Sequence, residues 1–161
     1  MPTISAVFLV LSLVLAVVIG PQTRAWSWGP AMLALGISTA VALPALWKKS
    51  WHPSEFAIYA LGLLVAGWFA WRAWFSPVRE LADADLMLLA GAVGAFVSIR
   101  VIQGNKLAES ILIWGISLLL LANVAVIAMQ VADPAFSPVF RSRASVFPSG
   151  FYAHYNEAAN Y

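Results

Sequence analysis

The sequence predicts an all-α fold, a polytopic transmembrane helical bundle of five spans with the start of a sixth. Two observations support this prediction. Hydrophobic residues make up 62% of the chain and charged residues only 10%, whereas about 25% of the residues of a soluble domain are charged. The apolar residues also gather in five runs separated by short polar links, and roughly 20 apolar residues cross a bilayer as a helix. We therefore expect the 161 residues to form a single transmembrane domain.

The predicted spans follow one another with little chain left between them. The spans cover about 4–20, 31–47, 56–75, 86–102 and 111–131, an outer loop covers 132–149, and a further helix starts within 150–161. The first run lacks the basic segment that opens a secretory signal peptide, so we expect it to remain in the protein as a helix. Pro44 predicts a kink near the end of the second span.

Aromatic and charged residues near the ends of the third and fourth spans indicate where the membrane surface lies. Trp68, Trp71 and Trp74 cluster toward one end of the third span, as tryptophans do at headgroup depth. A cofactor-stacking role is the alternative for these rings. Arg72 lies among them and is expected to extend to the same interface. Asp85 is expected to cap the start of the fourth span.

Small and polar residues inside the spans predict helix packing. Gly91 and Gly94 in the fourth span allow a neighbouring backbone to approach closely, which promotes helix association in lipid. Asn123 is the conspicuous polar residue of the fifth span. An amide at that depth needs a partner, so we expect an interhelical hydrogen bond, with a substrate contact as the alternative.

Charge and composition favour one orientation and exclude several classes of function. Lys48 and Lys49 form the only adjacent basic pair, which favours an N-terminus in the cytoplasm under the positive-inside rule. The other basic residues are divided between the two sides, so their count does not decide the orientation. The nine Lys and Arg residues are scattered along the chain, which argues against a nucleic-acid partner. The chain has no cysteine, which excludes disulfides and thiolate catalysis. His154 and Glu157 supply too few ligands for a metal site, and no cofactor is expected.

The polar residues after the fifth span are the candidate site. Arg141 and Arg143 stand in an outer loop, and a guanidinium offers a planar fork of donors to a phosphate or diphosphate. Anchoring to lipid headgroups is the alternative for both arginines. His154 and Asn156 follow at the start of the sixth helix, where polar side chains are expected to face a protein interior or a wet cavity. His154 is also a candidate proton acceptor.

The order of residues in this segment resembles the opening of the conserved region in the bacterial O-antigen ligase and O-antigen polymerase family. That region typically reads Arg-x-x-Gly-x-Phe-x-x-x-Asn-x-x-Ala after several N-terminal spans. Gly150, Asn156 and Ala159 keep its spacing, Arg143 precedes them, and Tyr152 stands where Phe is usual. The similarity covers roughly the last 20 residues of the chain.

The resemblance implies a glycosyltransferase-type enzyme of the bacterial inner membrane. Such enzymes use an undecaprenyl-diphosphate-linked glycan as donor on the periplasmic side, without a nucleotide-sugar site or an obligatory metal. The resemblance implies that Arg141 and Arg143 bind the donor diphosphate, and that His154 and Asn156 lie near the entry to the active cavity. Family members are considerably longer. We therefore expect this chain to be the N-terminal portion, inactive alone, with its catalytic residues unknown.

Two other interpretations remain open. In the first, the chain is a non-catalytic integral membrane subunit or scaffold, in which Gly91, Gly94 and Asn123 pack against partner helices of a larger complex. In the second, it is a small transporter-like half that dimerises, although the spans lack the paired charges of an ion path. The expected partners are membrane lipid in every case, with the lipid-linked glycan or other membrane subunits added according to the interpretation.

Overall fold

The structure of the protein is a computed structural model, which describes residues 1–19, 27–48, 53–77, 79–136 and 148–151. Within these ranges the chain forms five helices and no strand. The helices are α1 (Pro2–Val18), α2 (Gly29–Leu46), α3 (Pro53–Trp74), α4 (Arg79–Ile102) and α5 (Lys106–Ala132). The prediction of an all-α fold is confirmed for this part of the chain.

Three of the described helices are long and apolar enough to cross a membrane. They are α2, α5 and the Asp85–Ile102 part of α4. α1 is apolar but has 17 residues, and α3 is not among the three. Three helices of this kind are consistent with an integral membrane protein, as the composition predicts.

α4 and α5 both begin earlier than predicted. α4 begins at Arg79, so Asp85 lies in its second turn and the prediction that Asp85 caps the helix is wrong. α5 begins at Lys106 and is capped by Asn105, whose side-chain oxygen accepts a hydrogen bond from Ala108 N at 3.0 Å. The apolar run shows where a helix becomes hydrophobic, whereas the helix itself starts where its backbone hydrogen bonds start.

α1 occupies the centre of the described bundle. It contacts α2, α4 and α5, and α2 also packs against α4. The main neighbour of α3 is α4, so much of the apolar surface of α3 is exposed, including Leu63 and Leu64. Contact with lipid tails would suit such side chains, because the tails are equally apolar.

A cluster of buried serine hydroxyls joins α1, α2 and α4. Ser38 Oγ lies 2.8 Å from Ser98 Oγ, 2.8 Å from the carbonyl oxygen of Ser5 and 3.0 Å from Ser5 Oγ. A hydroxyl carries one hydrogen, so Ser38 donates to one of these oxygens at a time and accepts from a neighbouring hydroxyl. Ser12 adds a second link, because its hydroxyl donates to the Ala31 carbonyl oxygen at 2.8 Å. These bonds hold α1 against α2 at two levels.

Close helix contacts occur at glycines of α4 and α5. A Cβ added to Gly94 would lie 2.8 Å from Thr39 Oγ1 of α2, and Gly91 also faces α2. α4 thus packs tightly on α2 at Gly94, whereas the atoms nearest to Gly91 lie at ordinary contact distance. All of these nearest atoms belong to side chains, so the approach of a neighbouring backbone at Gly91 and Gly94 stays a prediction. A tighter contact, which no sequence pattern predicted, lies at Gly115, where a Cβ would lie 2.5 and 2.6 Å from the two methyl carbons of Val10 in α1.

The tryptophans at the end of α3 are exposed, as an interfacial position requires. Trp68, Trp71 and Trp74 each expose more than half of their surface, and Arg72 between them is exposed too. Their depth in a membrane stays a prediction. Pro44 lies inside α2, and the kink expected there stays a prediction as well.

Candidate functional site

Two buried side-chain amides on α5 hold residues 148–151 against that helix. Asn123 is 5% exposed and Gln130 is 2% exposed. They are seven residues apart, which is close to two helical turns, so their side chains leave the same face of α5. Residues 148–151, which comprise the end of the predicted outer loop and the two residues after it, pack on this face.

Gln130 makes three hydrogen bonds to the backbone of this segment. Its Oε1 accepts from Ser149 N at 2.7 Å and from Gly150 N at 2.8 Å. Its Nε2 donates to the Gly150 carbonyl oxygen at 3.0 Å. One side chain thus satisfies three backbone groups that lie in a buried environment.

Asn123 continues the pattern deeper along the same helix. Its Oδ1 accepts from Phe151 N at 3.1 Å. The hydrogen bond expected at Asn123 is therefore present, but its partner is the backbone of the segment after the loop, which differs from the interhelical bond that was predicted. The physical reason is that the segment packs on α5 with Phe151 N within hydrogen-bonding distance of the Asn123 side chain.

Gly150 fits a place that a larger residue would not. Its φ is +62°, a left-handed conformation that costs non-glycine residues about 1–2 kcal/mol. A Cβ built on Gly150 would also overlap the side-chain oxygen of Asn123 and lie 2.9 Å from its Cγ. Both the backbone conformation and the close contact therefore require glycine.

These contacts satisfy consecutive backbone N–H groups at considerable depth along α5. At 1.5 Å per residue, Asn123 lies about 14 Å from the end of the helix at Ala132. Irregular backbone at membrane depth is tolerated where protein groups satisfy it. The N–H groups of Ser149, Gly150 and Phe151 all have a side-chain oxygen of α5 as acceptor, so this stretch of backbone meets that requirement.

The other end of the outer loop is a turn at the end of α5. Asp133 Oδ1 accepts from Ala135 N at 2.9 Å, and Phe136 N donates to the Asp133 carbonyl oxygen at 2.9 Å. α5 thus ends at Ala132, close to the predicted end at 131. The described residues on both sides of the loop agree with a chain that leaves α5 and returns to it.

The predicted site residues Arg141, Arg143, His154 and Asn156 lie outside the described residues. The structure brings together Asn123, Gln130 and Gly150 instead. Sequence reasoning missed Gln130. The signal that identifies it is the seven-residue spacing of two amides in the second half of α5, which is otherwise apolar, since both amides then lie on one face.

The described part of this site holds and orients the chain. Asn123 and Gln130 are neutral amides, which donate and accept hydrogen bonds but do not transfer protons at ordinary pH. In the part of the chain that the structure describes, no group of three His, Cys, Asp or Glu side chains is placed to hold a metal ion. Any acid–base chemistry would therefore come from residues other than these two.

Comparison of the chain with protein-family models, with curated proteins and with solved structures finds no match.

Proposed function

We propose that the chain is the N-terminal membrane portion of a protein of the O-antigen ligase or polymerase type. Its substrate is an undecaprenyl-diphosphate-linked glycan, and it acts in the bacterial inner membrane. Arg141 and Arg143 bind the diphosphate through charge-assisted hydrogen bonds. His154 and Asn156 line the entry to the cavity in which transfer takes place.

The observation that most supports this proposal is the attachment of Ser149, Gly150 and Phe151 to α5. Gln130 and Asn123 accept or donate every hydrogen bond described above for this segment. Arg143 stands six residues before Ser149 in the sequence, so the attachment holds one end of the arginine-bearing loop at α5. A diphosphate site needs its cations held at the membrane surface, and a loop fixed at both ends serves that need.

The proposal includes five spans and the start of a sixth, with the N-terminus in the cytoplasm. α1 has 17 residues and α3 has 22. These numbers correspond to helices about 26 Å and 33 Å long, and both lengths are close to the thickness of the hydrocarbon core of a bilayer, about 30 Å. α1 also packs against all three of the helices that meet the length and hydropathy of a span. In this proposal Gln130 and Asn123 hold the backbone of Ser149, Gly150 and Phe151 at the point where the chain enters the sixth helix.

A non-catalytic membrane subunit is the second candidate, and one observation favours it. Ser38 and Gln130 use their hydrogen bonds for packing inside the chain. A scaffold needs such internal bonds and no reactive group. Arg141 and Arg143 would then anchor the loop to lipid headgroups.

The test of the transferase proposal is glycan transfer by the native protein in its membrane. Arg141→Ala and Arg143→Ala are each expected to lower transfer at least tenfold, because each removes a charged donor to the diphosphate. Arg→Lys variants should recover part of the activity, since the charge returns without the planar fork. Lys48→Ala is the matched control at the other end of the bundle, and it should leave transfer unchanged.

Two results would decide against the proposal. Full transfer by both Arg→Ala variants, with normal membrane insertion, would remove the diphosphate site. An intact mass near 17.4 kDa for the native protein, with no transfer activity, would favour the subunit. A much heavier native chain is the expected result, because the remaining helices and the catalytic residues of the family would have to lie beyond this portion.

A further inference from the structure

A cleft of about 700 Å³ opens between the last turns of α3 and the first turns of α4. Its wall carries a basic side chain, Arg72, and an acidic side chain, Asp85, together with Ser76. The aromatic rings of Trp68 and Phe69 complete the side formed by α3. Among the described residues of its wall, the cleft therefore presents one positive and one negative charge beside an apolar aromatic surface.

The cleft adjoins an apolar groove of about 760 Å³ that lies on α4 between α2 and α3. Leu86 and Leu89 line both cavities. As far as the structure describes its wall, the groove is apolar except for Thr39, whose hydroxyl donates to the Leu35 carbonyl oxygen at 2.9 Å. The groove offers nothing to water and accommodates a hydrocarbon chain.

The charged end of this cavity pair lies where lipid headgroups are expected. Asp85 is the first residue of the apolar window of α4, and Arg72 is in the last turn of α3. The groove follows α4 from Leu86 to Gly94, which is about 12 Å along the helix axis. A ligand that fills both cavities is thus polar at one end and apolar over the rest of its length.

We propose that the cleft and the groove together bind one phospholipid with a zwitterionic, amine-bearing headgroup. The lipid phosphate accepts hydrogen bonds from the guanidinium of Arg72. The headgroup ammonium pairs with the carboxylate of Asp85, and one acyl chain lies in the groove between α2 and α3. Trp68 packs beside the glycerol region, where an amphipathic ring is favourable.

Asp85 gives the site its preference among lipids. Any phospholipid offers an acyl chain to the groove and a phosphate to Arg72. An anionic lipid or a lipid-linked phosphate would also bring net negative charge beside the carboxylate of Asp85, which repels it. An ammonium group on the headgroup turns that repulsion into attraction. The inference does not depend on the transferase proposal, because its residues belong to α2, α3 and α4 and none belongs to the proposed diphosphate site.

The test is native mass spectrometry of the whole protein with two lipids that share their acyl chains. Phosphatidylethanolamine has the zwitterionic headgroup, and phosphatidylglycerol has the anionic one. Phosphatidylethanolamine is expected to bind about tenfold more tightly. Arg72→Gln should weaken both lipids, whereas Asp85→Asn should weaken phosphatidylethanolamine and strengthen phosphatidylglycerol, so that the preference disappears.

Neighbouring residues supply the controls. Asp83→Asn removes an exposed carboxylate of α4 that does not line the cleft, and Lys48→Gln removes an exposed cation at the other end of the bundle; both should leave the preference unchanged. Gly67→Leu places a side chain where a Cβ meets nothing within 4 Å. It partly fills the groove, so it should weaken both lipids equally.

Three outcomes would overturn the proposal. The first is equal binding of the two lipids to the unaltered protein. The second is tighter binding of phosphatidylglycerol, or of a polyprenyl phosphate added as a third probe. The third is an Asp85→Asn variant, with unchanged helix content by circular dichroism, that keeps the preference for phosphatidylethanolamine.

Discussion

Gln130 binds Gly150 through both ends of its side-chain amide. Oε1 accepts from Gly150 N at 2.8 Å, and Nε2 donates to the Gly150 carbonyl oxygen at 3.0 Å. A side-chain amide has N–H donors and a carbonyl acceptor, which are the same kinds of group that a peptide unit has. It can therefore form paired hydrogen bonds with backbone, as a neighbouring strand does. The segment after the outer loop therefore has a built attachment point on α5 rather than a nonspecific apolar contact.

Replacing Gln130 with leucine should release this segment. The substitution keeps the side-chain size but leaves Ser149 N, Gly150 N and Gly150 O without the partners described here. Buried polar groups without partners cost about 1–3 kcal/mol each in soluble proteins, and hydrogen bonds inside membranes contribute less. We expect local opening to become easier by about 2 kcal/mol, which makes hydrogen exchange at Ser149 and Gly150 about 30-fold faster.

The matched control for this prediction is Gln103→Leu, because Gln103 is an exposed glutamine in the link before α5. It should leave exchange at Ser149 and Gly150 unchanged. Equal exchange rates in the Gln130→Leu variant and the unaltered protein would contradict the attachment.

Gly150→Ala should destabilise the same segment for two separable reasons. Alanine at φ +62° is strained by about 1 kcal/mol, and its Cβ would overlap the side chain of Asn123. We expect a total cost of about 2 kcal/mol, measured by reversible unfolding in mixed micelles. In an Asn123→Ala background the overlap is gone, so the cost of Gly150→Ala should fall to about 1 kcal/mol. An identical cost in both backgrounds would show that Asn123 does not contact Gly150.

Gly115→Ala should separate α1 from α5. The new Cβ would lie 2.5 and 2.6 Å from the methyl carbons of Val10 and 3.2 Å from its Cβ. Val10 is β-branched and has little rotamer freedom in a helix, so it does not move aside easily. We expect a loss of about 1–3 kcal/mol in the free energy of unfolding.

Two further variants check that contact. Val10→Ala should reduce the cost of Gly115→Ala, because it removes the methyl groups that collide. Gly62→Ala is the control, since a Cβ there meets nothing within 4 Å, and it should be neutral or stabilising by up to about 1 kcal/mol. If Gly62→Ala and Gly115→Ala had the same effect, the close approach of α1 and α5 would be refuted.

The absence of cysteine from the sequence makes the proposed topology directly testable. Single cysteines at the exposed positions of Lys48, Pro77, Gln103 and Ala135 sample the links between the helices. With the N-terminus in the cytoplasm, Pro77→Cys and Ala135→Cys should react with a membrane-impermeant maleimide in intact cells. Lys48→Cys and Gln103→Cys should react after permeabilisation.

The labelling pattern distinguishes two kinds of error in the proposed topology. The opposite pattern would reverse the orientation and leave the number of spans unchanged. Reaction of Pro77→Cys and Ala135→Cys from different sides would contradict the proposed number of spans, because two crossings separate these positions in the proposed topology.

Much of the fold was predictable because helix formation in an apolar chain is governed by local composition. The five apolar runs correspond to five helices of the described residues. The starts of α4 and α5 were not predictable from hydropathy. Arg79 and Lys106 are helical although they are charged, because a helix requires backbone hydrogen bonds and does not require apolar side chains in its first turn.

The candidate site was predictable only in outline. The sequence indicated that the chain returns to the bundle near Gly150, and the described contacts of that segment with α5 agree with this expectation. The roles of Arg141, Arg143, His154 and Asn156 stay predictions. Gln130 was not foreseen, because a single glutamine near a helix end also suits an exposed position, and its burial depends on what packs over it.

By itself the sequence determined the helical class, the approximate helices and the need of Asn123 for a hydrogen-bond partner. Only the tertiary structure decided the partner of each face. It placed Val10 against Gly115 and Ser38 between Ser5 and Ser98. The physical reason is that helical periodicity is a property of one segment, whereas a contact between distant segments depends on how all the helices pack around α1.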